Sequence, residues 1–118
     1  MELRYKLWLA DKGEQVFGDG IYRLLKLIDE LGSINQAAQV EKMSYRQAWG
    51  MIKTIENRLN FKLLERRIGG ESGGGATLTP KGKRLVQEYE EITDQVEQLL
   101  KPISSRLNDL FFELSSEE

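Results

Sequence analysis

The sequence predicts a mainly α-helical protein with a small β component. Two observations carry this prediction. Two serine-started helical segments, 33–40 and 44–59, are separated by only a short break. A β-compatible stretch interrupted by a glycine run at 69–75 follows them, and a long apolar periodicity comes after it. Together these features predict a winged helix-turn-helix with an N-terminal β-hairpin and a long C-terminal helix.

Each of the two short segments opens with the same capping signal. Ser33 is followed three residues later by Gln36, and Ser44 three residues later by Gln47. A serine oxygen at the N-cap accepts a hydrogen bond from the third helical N–H, while the Gln side chain reaches back to the N-cap. Two capping boxes this close predict two helices joined by a tight turn.

The second of these helices has two different faces. Its apolar stripe consists of Ala48, Ile52, Ile55 and Leu59, with Met51 beside it. The opposite face carries Arg46, Gly50, Lys53 and Asn57. Cationic and amide donors beside a glycine suit the major groove of a duplex. The alternative interpretation is a solvated helix face that happens to be basic.

Composition excludes several classes of function. The 118 residues include neither cysteine nor histidine, so disulfides, thiolate or imidazole metal sites and Cys-His or Ser-His nucleophiles are excluded. No carboxylate spacing suggests an acid/base pair, and we expect no enzyme activity. The chain shows no membrane-spanning run and no signal-peptide pattern, which predicts a cytoplasmic protein without a membrane partner.

Charge is strongly segregated along the chain. Residues 1–41 have a net charge of −2, residues 42–84 a net charge of +7 and residues 85–118 a net charge of −7. A basic segment of this kind is the electrostatic pattern expected of a protein that contacts a phosphate backbone. We interpret the acidic tail as a solvated helix face kept away from the nucleic acid.

The N-terminal elements follow from periodicity and turn signals. Residues 2–9 alternate between apolar and polar side chains, which predicts a half-buried strand, and Asp11-Lys12-Gly13 predicts a turn. Residues 14–17 can return as the second strand of a hairpin. A helix is predicted over 19–31, with Asp19 as its cap and Gly32 as its end.

The glycine-rich stretch is predicted to be a wing. Residues 62–68 and 76–79 are β-compatible and flank the glycine run. Arg66 and Arg67 lie at the base of this wing, which spans 66–78, within reach of backbone phosphates or a minor groove. A nucleotide-binding loop is disfavoured because no Gly-Lys-Ser/Thr follows the glycines. A hairpin tip without a binding role is the remaining alternative.

A long helix is predicted to begin at Thr79-Pro80. Lys81 and Lys83 in its first turn are candidate phosphate contacts. The heptad-like seam that follows predicts a homodimer interface and consists of Leu85, Tyr89, Ile92, Val96, Leu99, Ile103 and Leu107. Folding back on its own domain is the alternative. Pro102 predicts a kink or break, and we divide the chain into a domain at 1–84 and a dimerisation helix at 80–118.

The order of these elements resembles the DNA-binding domain of ModE-type molybdate-responsive transcriptional regulators, whose winged helix-turn-helix is LysR-like. The matching residues are Gly32-Ser33-Ile34 with Ala37, Ser44-Tyr45-Arg46 with Ala48-Trp49, Gly69-Gly70 with Gly73-Gly74-Gly75-Ala76, and Leu78-Thr79 with Gly82 and Leu85. The resemblance covers residues 2 to 100. One departure is Lys42 in the turn, where many relatives have glycine and a left-handed backbone is easier.

The resemblance implies sequence-specific binding to double-stranded DNA as a homodimer, with 44–59 as the recognition helix. It places Ser44, Tyr45, Arg46, Gln47 and Trp49 nearest the DNA, although Trp49 is also interpretable as a flank of the core. The complete candidate DNA-binding set is Ser33, Ser44, Tyr45, Arg46, Gln47, Trp49, Gly50, Lys53, Arg66, Arg67, Lys81 and Lys83.

The resemblance does not carry molybdate sensing to this chain. In full-length members of that family the oxyanion site belongs to a separate C-terminal domain, and short single-domain members also exist. We therefore expect no cofactor and no molybdate binding. Two alternative functions are a winged-helix module that binds another protein, and a molybdate or tungstate sensor with a cryptic site.

Overall fold

The computed structural model describes residues 2–67 and 75–117. Within them the order of elements is β1 (Trp8–Asp11), β2 (Glu14–Gly18), α1 (Asp19–Leu31), α2 (Ile34–Val40), α3 (Tyr45–Leu59), β3 (Leu64–Arg67), β4 (Gly75–Leu78) and α4 (Pro80–Ser116). Strands β1 and β2 form one antiparallel pair, and β3 and β4 form another. This confirms the predicted fold class. The predicted wing tip at 68–74 lies outside the described residues.

The N-terminal strand is shorter than predicted. Strand β1 begins at Trp8, which pairs with Gly18, and α1 begins at the next residue, Asp19. Residues 2–7 therefore extend past the end of β2 and pair with no strand in the described part of the chain, so the prediction of a half-buried strand over 2–9 is wrong. The turn itself is as expected, because Lys12 and Gly13 both have positive φ, as a two-residue hairpin loop requires.

The core is formed where α1, α2 and α3 meet. Helix α1 contributes a fully buried aliphatic stripe, and α3 contributes the predicted stripe opposite it. Ala37 and Ala38 of α2 are completely buried in this core. Their small side chains allow α2 to pack closely against the other helices. The buried hydrophobic side chains of the three helices are Ile21, Leu24, Leu25, Ile28, Ile34, Ala37, Ala38, Ala48, Ile52 and Ile55.

The predicted helix caps are present with two differences. Ser44 and Gln47 form the complete capping box, each bond being 3.0 Å long. The Ser33 hydroxyl accepts a hydrogen bond of 3.1 Å from the backbone N–H of Gln36. The return hydrogen bond from the Gln36 side chain to the Ser33 backbone is not seen among the described contacts. Asp19 is the first residue of α1 rather than its cap, and its carboxylate accepts a hydrogen bond from Tyr89 instead.

The junction between wing and long helix centres on Leu63 and Thr79. Thr79 donates its N–H to the Leu63 carbonyl at 2.9 Å and its hydroxyl to the Lys62 carbonyl at 2.7 Å. The same hydroxyl caps α4 by accepting from the Gly82 N–H at 3.0 Å. Gly82 packs directly on the Leu63 backbone, and any β-carbon there would overlap the Leu63 carbonyl oxygen.

Helix α4 is continuous from Pro80 to Ser116, with Pro102 inside it, so the predicted break is absent. Its buried residues are Gly82, Val86 and Tyr89, all near its N-terminal end. The helix then projects from the body, and the chain has principal extents of 70 × 30 × 21 Å. Among the described residues, no helix combines the length and apolar character needed to cross a bilayer.

The residues of the predicted dimer seam differ in exposure. Tyr89 is 1% exposed and packs against Phe17 with ring centroids 5.1 Å apart, so its assignment to a dimer interface is wrong. Burial, with the Asp19 carboxylate beside it, raises the pKa of the Tyr89 phenol above its usual range. Leu85 packs partly against the same core, whereas Leu99 is 73% exposed. Ile92, Val96 and Leu107 are half-buried and Ile103 is exposed.

Replacing Gly82 tests the close approach of α4 to Leu63. We expect Gly82→Ala to lower the free energy of unfolding by about 2 kcal/mol, because overpacking a rigid backbone contact costs about 1–3 kcal/mol. The measurement is urea denaturation followed by circular dichroism. Gly20→Ala is the matched control, since a β-carbon there meets nothing within 4 Å. Equal stability of the two variants would contradict the close packing.

Candidate nucleic-acid interface

The outward face of α3 is open to solvent along its N-terminal half. Tyr45, Arg46, Gln47 and Gly50 are exposed, and so is the N-cap Ser44. A β-carbon built at Gly50 meets no atom of the described residues within 4 Å, so this part of the structure leaves the helix backbone open to a partner there. The capping box holds the first turn of α3 in a fixed conformation. This half of the helix therefore presents a guanidinium, an amide and a phenol on a rigid support.

Arg66 of β3 contacts this face from the side. Its Nη2 donates a hydrogen bond of 2.7 Å to the Tyr45 hydroxyl. Its guanidinium carbon also lies 4.9 Å from the centroid of the Trp49 ring, within the range of a cation–π contact. The side chain thus links the first strand of the wing to the first two turns of α3.

Trp49 is shared between the core and the surface. It is half-buried and packs against the core cluster, which agrees with its interpretation as a flank of the core. Its ring also carries Lys53, whose ammonium lies 4.6 Å from the centroid. The indole therefore supports two cations from different elements, and each cation contact contributes about 0.5–1 kcal/mol at an exposed site.

Lys53 also takes part in a cluster around Glu56. The Glu56 side chain is 5% exposed, and its Oε2 accepts from the backbone N–H groups of Leu63 at 2.7 Å and Leu64 at 3.2 Å. Its Oε1 lies 3.5 Å from the Lys53 ammonium and 3.8 Å from that of Lys62. The nearby Lys53 lowers the pKa of Lys62. One buried carboxylate therefore pairs with two lysines and accepts the backbone hydrogen bonds at the start of β3.

The remaining predicted DNA contacts lie on other elements than α3. The hydroxyl of Ser33 is occupied as the cap of α2. Lys81 and Lys83 are exposed in the first turn of α4, and the Lys81 ammonium lies 5.4 Å from the centroid of the Phe61 ring. Arg67 lies on β3, but its side chain is outside the described part of the structure. Both α4 lysines are accessible to a phosphate.

Sequence reasoning missed Glu56 and Lys62. Glu56 follows Ile52 by four residues, so it belongs to the buried side of α3, and a charged residue in that position was the available signal. Its partners are backbone groups beyond the end of the helix, which no helical pattern indicates. Lys62 matters through its contact with Glu56, and nothing local in the sequence marks it.

Comparison with known proteins agrees with this site. Residues 22–83 match the family model of bacterial regulatory helix-turn-helix proteins of the lysR family. The chain is 41% identical to the molybdenum transport protein ModE of Azotobacter vinelandii over 88 residues, which cover 75% of this chain and 33% of that protein. It is 47% identical to the transcriptional regulator ModE of Haemophilus influenzae over 68 residues, or 58% of this chain and 27% of that protein.

A third relative is the DNA-binding transcriptional dual regulator ModE of Escherichia coli, with 43% identity over 75 residues. That alignment covers 64% of this chain and 28% of the relative. The chain therefore spans at most about a third of the length of these relatives, a coverage of 33% in the Azotobacter protein. The family-model match at residues 22–83 includes α2, α3 and strands β3 and β4.

Removing the Glu56 carboxylate tests its part in holding β3. We expect Glu56→Ala to lower the free energy of unfolding by about 3 kcal/mol, since buried N–H groups left without a partner cost about 1–3 kcal/mol each. Glu56→Gln keeps one acceptor oxygen and should recover part of the loss. The exposed neighbour Asn57→Ala is the control, expected within about 0.5 kcal/mol of the parent. Chemical denaturation of the parent and the three variants measures the free energy of unfolding. If Glu56→Ala is as stable as the parent, Glu56 does not hold β3.

Proposed function

The chain belongs to the bacterial regulatory helix-turn-helix proteins of the lysR family, and from this membership we propose that it is a sequence-specific DNA-binding transcriptional regulator acting as a homodimer. The observation that carries the proposal is the rigidly capped N-terminal half of α3, which exposes Arg46 and Gln47 beside the open Gly50. The family consists of regulatory proteins, in agreement with the prediction that the chain is not an enzyme.

The first part of the proposal concerns base recognition. Helix α3 enters the major groove with its N-terminal half, where Arg46 pairs with the O6 and N7 acceptors of guanine. Gln47 keeps its Oε1 on the Ser44 N–H and offers its side-chain NH2 group to a base acceptor. The open backbone at Gly50 supports this placement, because a side chain there would hold the helix away from the base edges.

The second part concerns the phosphate backbone. The basic segment 42–84 carries a net charge of +7, and its exposed cations include Lys81 and Lys83 at the start of α4. A helix N-terminus with free N–H groups and nearby lysines favours a phosphate. The wing at 66–78 lies along the backbone or the minor groove. No cofactor or oxyanion takes part, and binding experiments need neither.

The homodimer forms through the projecting part of α4. Leu99, Ile103 and Leu110 repeat along one side of the helix and are exposed in the single chain. A seam of this spacing is buried most simply by a second copy related by a two-fold axis. The two α3 helices then reach successive major grooves about 34 Å apart along the duplex. Tyr89 is outside this seam because it belongs to the core of its own domain.

Substitutions on two parts of the surface distinguish base reading from phosphate contact. We expect Arg46→Ala to weaken binding to a selected operator by about 1–3 kcal/mol and to relax the preference at one base pair. Lys83→Ala should weaken binding to all DNA sequences alike. It should also reduce the magnitude of the slope of log affinity against log salt concentration by about one. Gel-shift titrations at several salt concentrations measure both effects.

The control for these titrations is Lys101→Ala, on the outer part of α4, which should bind like the parent. If the parent protein shows no salt-sensitive, sequence-selective binding, the regulator proposal is wrong. If only Arg46→Ala equals the parent in affinity and preference, that residue has no reading role.

A charge introduced into the α4 seam tests the dimer. We expect Leu99→Glu to convert the dimer into a monomer and to weaken operator binding at least about tenfold, since a buried unpaired carboxylate costs several kcal/mol. Ser105→Glu introduces the same charge on the other side of α4 and is the matched control. Sedimentation equilibrium reports the mass of each protein. A parent that is monomeric at micromolar concentration would contradict the seam assignment.

A further inference from the structure

Both ends of strand β3 are fixed to α3 by side chains. At the start of the strand, the buried Glu56 of α3 accepts from the N–H groups of Leu63 and Leu64. Two residues further along β3, Arg66 reaches back to Tyr45 in the first turn of α3. The two attachments lie at opposite ends of α3. The first strand of the wing is therefore attached along α3, and not only through the loop that joins them.

The Arg66 attachment uses the features that distinguish arginine from lysine. One guanidinium nitrogen donates to the Tyr45 hydroxyl at 2.7 Å while the guanidinium carbon is 4.9 Å from the Trp49 ring centroid. A planar guanidinium can stack on an indole and donate in its own plane at once, whereas an ammonium cannot reproduce this geometry. The hydrogen bond joins residues 21 positions apart in the chain, so it constrains the relation of two elements.

These contacts give Arg66 a role different from a simple phosphate contact. We propose that Arg66 is a positioning residue that holds strand β3 at a fixed angle to α3, through its contacts with the Tyr45 hydroxyl and the Trp49 ring. Helix and wing then meet the duplex as one unit, and the spacing between base contacts and wing contacts is set before binding. This inference rests on the proposed DNA-binding function.

A double-substitution cycle tests this role. The probe is a duplex selected from random-sequence DNA by the parent protein, and affinity is measured at several salt concentrations. Tyr45→Phe removes only the hydroxyl and leaves every charge in place. Arg66→Met removes the charge and keeps the length of the side chain. Lys101→Met on the outer part of α4 is the control for loss of one positive charge.

The expected pattern is non-additive. Arg66→Met should weaken binding about tenfold and Tyr45→Phe about three- to tenfold, while the double variant should bind within about twofold of Arg66→Met alone, because both changes disrupt one interaction. The salt slope should stay within about half an ion of the parent in all three variants, since no phosphate contact is lost. Lys101→Met should match the parent.

Two results would overturn the inference. If the losses of Tyr45→Phe and Arg66→Met add, the two residues act separately. If Arg66→Met lowers the salt slope by about one ion, the guanidinium contacts a phosphate directly. Failure of the underlying function looks different, because then the parent itself selects no duplex, and the inference falls with it.

Discussion

The buried carboxylate of Glu56 is the interaction on which the arrangement of the elements depends. Burying a carboxyl group is costly unless it is paired and hydrogen-bonded. In Glu56, Oε2 accepts from two backbone N–H groups, while Oε1 has two lysine ammonium groups 3.5 and 3.8 Å away and no hydrogen-bond donor among the described residues. The peptide groups of Leu63 extend this constraint, since its N–H donates to Glu56 and its carbonyl accepts from Thr79. Helix α3, the wing and helix α4 therefore meet at one short segment of backbone, and Gly82 allows that approach.

Several elements with local determinants were predictable from the sequence. The capping box at Ser44 and the Thr79-Pro80 start of α4 depend on residues within one turn of each other, so their helices begin where predicted. The apolar stripe of α3 was equally readable, because helical periodicity alone defines it. The basic character of the candidate nucleic-acid interface was also predictable, because the net charge of segment 42–84 can be counted from the sequence alone.

Several of the errors and omissions concern contacts between distant parts of the chain. Three others were local: the Asp19 cap, the Gln36 reach-back and the break at Pro102 are not seen among the described residues. Alternation predicted a strand from residue 2, but pairing stops at Trp8 because β2 runs directly into α1. Tyr89 fits the heptad seam equally well as a core residue, and only the packing of Phe17 and Asp19 against it decides between the two. The roles of Glu56 and Arg66 depend on partners 7 and 21 residues away, which no periodic pattern relates.

If the chain dimerises as proposed, the continuity of α4 through Pro102 links the order of this helix to that dimerisation. Residues 90–116 contribute no buried side chain to the core, so their helical state gains little from the body of the domain. A proline inside a helix costs about 3 kcal/mol, and isolated helices of moderate length are only marginally stable in water. In the proposed two-fold assembly, helix formation by residues 90–116 and dimerisation are therefore one coupled equilibrium. Dilution would then unfold α4 from its C-terminal end while the globular part stays folded.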